Sequence, residues 1–329
     1  MSRTDARGRA RPLPIFARFP GLAELPRVPL IRWPTPVAHL PQVAPWLWVK
    51  RDDLCADPLG GNKVRALEFL IAGADEHTTF VTVGSEGSTH ALAAATYAKR
   101  EHARVVVGRW KQEMNATASA VSAATARAAS EAPVFGSVVA AYAWAALQRA
   151  RGARWIPAGG SSPLGALGHV NAALELADQI SAGSLPEPGE IVVPLGTGGT
   201  LAGITLGARI AGLSSRVIGV QVVPRIVANR HHVARLARAT ARIIRRHADD
   251  KRGIPLLHAR DIRIDASQFG GAYGRETEAA TEALSRFEHA ARIRLDRTYS
   301  AKAAASAIAR AREAGGPTLF WMTFDSRGV

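Results

Sequence analysis

Val193-Pro194-Leu195-Gly196-Thr197-Gly198-Gly199-Thr200-Leu201-Ala202-Gly203 is the stretch on which the fold turns. An apolar run suited to a buried strand gives way to a glycine-rich turn, then to apolar and alanine positions at helical spacing. Glycines let backbone N–H groups converge on an anion, and the start of the following helix adds partial positive charge. The loop lacks the Gly-Lys-Ser/Thr ending of a nucleotide P-loop. Leu201 also stands where a dinucleotide fingerprint needs its third glycine. A single phosphate monoester suits the loop, and so does a tight turn with no ligand at all.

The same strand–loop–helix order repeats on both sides of this stretch. Phe80–Val83, Val105–Val107, Trp155–Ile156, Ile191–Pro194 and Val217–Val223 read as buried strands. Helical spacing fills Thr89–Arg100, Asn115–Ser130, Ser137–Arg151, Gly168–Ala182 and Leu201–Gly212. Parallel strands need long crossovers, so this alternation predicts an α/β protein with parallel-rich sheets flanked by helices. Ligands in such folds gather at the carboxyl ends of the strands.

With 329 residues, 47% hydrophobic and 21% charged, the chain can bury a sizeable core and suits two packed lobes. Its charge is unusual: 42 Lys+Arg against 27 Asp+Glu give +15, which raises nucleic acid, a membrane surface or an acidic substrate as partners. The excess is local. Residues 1–18 carry +4 and residues 224–252 carry +7, leaving +4 for the other 282. In the second segment Arg235, Arg238, Arg242 and Arg245 recur three and four apart, opposite Val233, Leu236, Ala237, Ala241 and Ile244. That pattern predicts an amphipathic helix packed on the body. It lacks the interleaved aromatics of a single-strand binder, so nucleic acid is not the expected partner. One cysteine, Cys55, excludes an intrachain disulfide and agrees with a reducing cytoplasmic setting. The N-terminal residues lack the apolar core of a secretory leader. The longest apolar stretch, around Val138–Leu147, is about half of the ~20 residues a membrane span requires. No metal site is expected.

A second motif carries the chemistry: Lys50-Arg51-Asp52-Asp53-Leu54, then Gly60-Gly61-Asn62-Lys63-Val64-Arg65-Ala66-Leu67-Glu68-Phe69-Leu70. Lys63 opens a helix directly after two glycines and an asparagine. A lysine at a positively polarised helix start deprotonates more easily, which imine chemistry requires. In isolation a surface lysine capping a turn explains it equally. A nucleophilic lysine together with a monophosphate cup suggests pyridoxal 5'-phosphate (PLP).

These motifs resemble those of the D-cysteine desulfhydrase / 1-aminocyclopropane-1-carboxylate (ACC) deaminase family. The resemblance extends to Pro157–Gly168, Gly271-Ala272-Tyr273-Gly274, Asp296–Ala303 and the closing strand Leu319–Thr323, in the family's order across nearly the whole chain. It implies a two-domain, tryptophan synthase β-like (type II) PLP fold. Residues 1–74 plus 166–329 would form the large domain, with 75–165 inserted as the small one. It also implies a homodimer acting on a small amino acid. Lys63 would hold the cofactor and then serve as the base at Cα, with Asn62 beside it. Gly196, Thr197, Gly198, Gly199 and Thr200 would bind the phosphate, and Thr323 would face the pyridine nitrogen. Ser88, Tyr273 and Tyr299 would join Lys63 as catalytic residues, and Ser88, Thr89 and His90 would hold the substrate carboxylate.

The chain departs from the family in that last loop. The usual Gly-Gly-x-Gln-Ser-Asn-His is Gly84-Ser85-Glu86-Gly87-Ser88-Thr89-His90 here, with Glu86 placed to repel an acidic group. After Thr323 the family's Gly-Gly is Phe324-Asp325. True ACC deaminases carry Glu at the place of Ser300 and Leu at that of Thr323. The resemblance therefore implies α,β-elimination of the desulfhydrase kind, giving a 2-oxo acid and ammonia. β-Replacement, racemisation and a PLP-binding protein without turnover stand as the alternatives.

Overall fold

A computed structural model describes residues 12–313 and 315–324. Its first sheet has six strands. These are β1 (Val37–His39), β2 (Leu47–Arg51), β7 (Glu190–Leu195), β8 (Arg216–Gln221), β9 (Arg263–Asp265) and β10 (Thr318–Met322), in the spatial order β1-β2-β10-β7-β8-β9. Only β1 runs antiparallel to its neighbour. A second sheet of four parallel strands is built from β3 (Thr79–Ser85), β4 (Arg104–Trp110), β5 (Val134–Phe135) and β6 (Arg154–Trp155), in the order β5-β4-β3-β6. The parallel-rich α/β architecture expected from the sequence is thus present, as two sheets.

Helices cover both faces of each sheet, so the central strands read as nearly continuous apolar runs. Every residue of β7 and β10 is buried. On one face of the large sheet pack α1 (Pro14–Arg18), α6 (Ala166–Ser181), α7 (Gly199–Ile210) and α8 (Arg230–His247). On the other lie α9 (Glu278–Ala291) and α10 (Ser300–Glu313). The small sheet is covered by α2 (Asn62–Leu70), α3 (Thr89–Arg100) and α4 (Ala116–Ala128) on one side, and by α5 (Val138–Ala150) on the other. Pro194 interrupts the valine run of β7, but β7 pairs with β10 only through Val192. The missing N–H therefore falls beyond that ladder.

The basic segment behaves as its spacing predicts. Val233, Leu236, Ala237, Ala241 and Ile244 of α8 are buried, while Arg235, Arg242 and Arg246 face solvent. Most of the N-terminal arginine run lies outside the described residues, as does Asp325.

Candidate active site

Lys63 is the second residue of α2, directly after Gly61 and Asn62. Gly61 holds φ at +121°, and a Cβ there would stand 2.6 Å from the Thr323 carbonyl oxygen, so only glycine lets the helix start against the end of β10. The Asn62 N–H donates to that same carbonyl at 2.9 Å. The start of α2 is thereby tied to the last strand, and Lys63 and Thr323 line one narrow slot. Among the described residues, the Lys63 amine meets no hydrogen-bond or ion-pair partner. Burial lowers its pKa to about 8. Desolvation, rather than the helix start invoked from the sequence, is the cause at work.

Two neutral histidines lie near that amine. Burial, and then the Lys63 charge, push His90 down to about 3. The same two causes in the same order hold His169 well below the usual histidine range, and Arg65 adds to them. His90 sits against Thr82, with Nε2 and Oγ1 3.1 Å apart. His169 Nε2 is 3.4 Å from Thr200 Oγ1, which accepts from Asn62 Nδ2 at 2.6 Å.

The far end of the slot is the glycine-rich loop. Gly196, Thr197, Gly198, Gly199 and Thr200 all line it. Gly198 has φ +93° and offers α7 no side-chain cap. The first turn of α7 thus opens into the slot with N–H groups that have no partner inside the helix. The loop is braced from both sides. Ser161 Oγ lies 2.6 Å from Thr197 Oγ1 and accepts from the Gly199 N–H at 3.0 Å. His232 of α8 donates from Nε2 to the Thr197 carbonyl at 3.2 Å while its Nδ1 accepts from Arg235. An uncapped helix start at one end, a lone weakly basic amine between, and a buried hydroxyl at Thr323 fit a phosphorylated aldehyde with a ring nitrogen.

Tyr299 lines the slot, and its hydroxyl lies 2.9 Å from that of Tyr273. Burial raises both tyrosines above the ordinary phenol range, Tyr299 the more, with Tyr273 adding to its shift. The pair holds its protons at neutral pH. Asp296 also lines the slot, but its two oxygens accept from the N–H groups of Tyr299 and Ser300 at the start of α10.

The substrate-side loop is only partly brought in. Thr89 lines the slot and the chamber next to it. The Ser88 hydroxyl instead caps α3, accepting from the Ala91 N–H at 3.3 Å. Ser88, His90 and Glu86 lie outside both linings. Sequence reasoning did not single out Ser161, His232 or Asp296. Ser161 and Asp296 sat inside quoted motifs; His232 gave no local signal.

Behind α2 lies a buried ionic cluster. Arg65 binds Asp52 at 2.7 Å and Glu175 at 3.0 Å, and Lys50 binds Glu175 at 2.6 Å. Asp52 also accepts from Trp321 Nε1 at 2.8 Å. Burial pushes both carboxyls up, but the adjacent Arg65 and Lys50 outweigh it and hold them below the usual range.

Comparison with known proteins accounts for this constellation. Residues 28–323 match the family model described as pyridoxal-phosphate dependent enzyme, and the chain belongs to that family. Its cofactor is pyridoxal phosphate. The chain is 32% identical over 325 residues to nocardicin C-9' epimerase of Nocardia uniformis, covering 93% of this chain and 94% of that protein. It is 29% identical over 322 residues to D-cysteine desulfhydrase of Salmonella paratyphi B, covering 91% and 94%. The crystal structure of an ACC deaminase homologue superposes with a TM-score of 0.79 at 28% identity, over 97% of this chain and 96% of that one. The fold is PLP fold type II. Among the described residues, no helix is long and apolar enough to cross a membrane, and no group of His, Cys, Asp and Glu is arranged to hold a metal.

Proposed function

We propose that the protein is a PLP-dependent lyase that eliminates a β leaving group from an amino acid, releasing a 2-oxo acid and ammonia as a D-cysteine desulfhydrase does. The observation that carries this is Lys63, an amine without a partner among the described residues and with a pKa near 8, in a slot between the glycine-rich loop and Thr323. Bound PLP supplies an electron sink for the charge that develops at Cα. Gly196–Thr200 and the start of α7 would hold its phosphate. Lys63 would hold the aldehyde end of the cofactor, and its neutral amine would take the Cα proton of the substrate. Thr323, whose hydroxyl-bearing side chain lines the slot, would meet the ring nitrogen with a neutral group and so favour elimination. The Tyr273–Tyr299 pair holds a proton near the leaving group. Residues 75–165 would form the smaller lobe, and Thr89 at the start of α3 would face the substrate carboxylate.

Racemisation is the second reading. It is favoured by the presence of two acid–base groups, Lys63 and Tyr299, on one slot and by the likeness to an epimerase. Purified protein reconstituted with PLP should show a visible absorbance band that Lys63→Ala abolishes. D- and L-amino acids with β leaving groups should yield pyruvate and ammonia. Deuterium incorporation at Cα with inversion and no ammonia would instead establish the racemase. A wild-type protein that shows no band would rule out both.

A further inference from the structure

The basic segment 224–252 takes no part in the chemistry above, yet α8 touches the glycine-rich loop. Val233 Cγ2 and His232 Cδ2 stand 3.1 and 3.5 Å from the place a Cβ at Gly198 would occupy. Beside the first turns of α8 lies a hollow of about 380 Å³, whose lining includes His231, His232, Arg235, Arg238 and Ala259. Spacings of four and three put His231, Arg235 and Arg238 on one strip of the helix.

Two observations fit this hollow to an anion. Its positive charge is uncompensated, because the lining holds no carboxylate and, among the described residues, neither arginine pairs with one. Asp261, on the turn that carries Ala259, is taken by the His258 N–H at 2.7 Å. The arginines are also held in place. Arg235 Nη2 donates to His232 Nδ1 at 3.0 Å, and Arg238 Nη1 donates to the Leu257 carbonyl at 2.8 Å. Each guanidinium keeps further N–H donors. An oxyanion therefore meets two fixed forks without first ordering two long side chains. Arg242 and Arg246, further along the helix, lie outside the lining, which suits a small ion better than a polyanion laid along α8.

We propose that this hollow binds a small multivalent oxyanion of the phosphate class, and that its occupation loosens the loop holding the PLP phosphate. His232 is the link. Its Nδ1 accepts from Arg235 while its Nε2 donates to the Thr197 carbonyl at 3.2 Å. An oxyanion that draws the Arg235 guanidinium to itself takes it off Nδ1, and the imidazole that braces Thr197 is released. The regulatory half rests on the PLP reading above; the binding half stands without it.

Pyrophosphate is the probe, titrated by calorimetry at fixed ionic strength into the PLP-loaded protein, whose phosphate cup is already filled. One equivalent should bind. Arg235→Ala and Arg238→Ala should each weaken binding about tenfold or more, the worth of a hydrogen bond to a charged group. The double variant Arg242→Ala/Arg246→Ala removes more charge, yet should stay within about twofold of wild type because those charges are screened from the hollow. Loss of PLP is then followed as the first-order decay of the visible band after dilution into cofactor-free buffer. A competitor for a filled cup cannot change that rate. Pyrophosphate should raise it about fivefold, the worth of one neutral hydrogen bond. Arg235→Ala should decay at the faster rate with or without pyrophosphate. Absent binding, or binding that falls as far in the Arg242/Arg246 variant, overturns the site. Binding with an unchanged decay overturns the link through His232. A wild-type protein without a Lys63-dependent band overturns the cofactor reading, and the same titration of the protein as purified then decides the site alone.

Discussion

The Lys63 amine is held well away from its free state. Its ordinary pKa of 10.5 falls to about 8 because burial penalises the charged form. Capture of an aldehyde needs the neutral amine, so the rate at which apoprotein develops its visible band should rise with pH and level off above a midpoint near 8. A midpoint near 10 in stopped-flow measurements would show that the site is wet. Tyr299 is opposite in kind, because burial there keeps the proton on. Replacing it by Phe should lower kcat by about 10²–10⁴-fold, the usual worth of a positioned acid. The visible band should survive that change. Gly198 needs positive φ, and alanine there carries about 1–2 kcal/mol of strain besides meeting Val233 Cγ2 at 3.1 Å. Gly198→Ala should therefore weaken PLP retention, measured by dialysis against buffer without cofactor.

Among the elements, α2 depends most on remote partners. Arg65, one turn-half beyond Lys63, is held by Asp52 from the end of β2 and Glu175 from α6. Removing one member leaves an uncompensated buried charge. Glu175→Ala should cost about 3–5 kcal/mol in urea unfolding. Because Glu175 and Asp52 have pKa values lowered by folding, their stabilisation is present above the unfolded carboxylate range and is lost as pH falls through the lower folded values. Glu175→Gln should accordingly flatten the acid limb of the stability–pH profile. Helix α8 depends on its apolar stripe instead. Ile244→Ala should cost about 2–5 kcal/mol, while Arg242→Glu and Arg246→Glu should each stay within about 0.5 kcal/mol of wild type.

These elements were unequally legible in the sequence. Strands such as Ile191–Pro194 and the α8 stripe announce themselves because burial on a regular element leaves a period in the residue types. The glycine-rich loop and Lys63 were legible because their backbone demands restrict composition. Glu175, Gln179 and Thr35, which complete the ionic cluster around Lys50, carry no such mark. Their partners lie far away in the chain, and only folding brings them together. Ser88 shows the converse. A hydroxyl at the start of a helix reads equally as a ligand contact and as a cap, and here its oxygen is occupied by the Ala91 N–H.

At the scale of the molecule, the +15 charge and the chemistry occupy different places. The slot and chamber lie where the two sheets meet, whereas the strongest described concentration of arginine rides on the outer face of α8. His232 is the point of contact between them, through the Thr197 carbonyl. The four-stranded sheet is drawn from the contiguous stretch 79–155, so it can form while the remainder is still being made. The six-stranded sheet cannot close in that way, because β10 emerges after all its companions yet belongs between β2 and β7. Until it slots in, Asn62 lacks the carbonyl that positions the start of α2, and Thr323 is not in place. In chain order, every strand of the four-stranded sheet is present by residue 155, whereas the six-stranded sheet is complete only at residue 322. Competence to trap a reactive aldehyde therefore depends on the last strand of the chain order, through its Thr323 carbonyl.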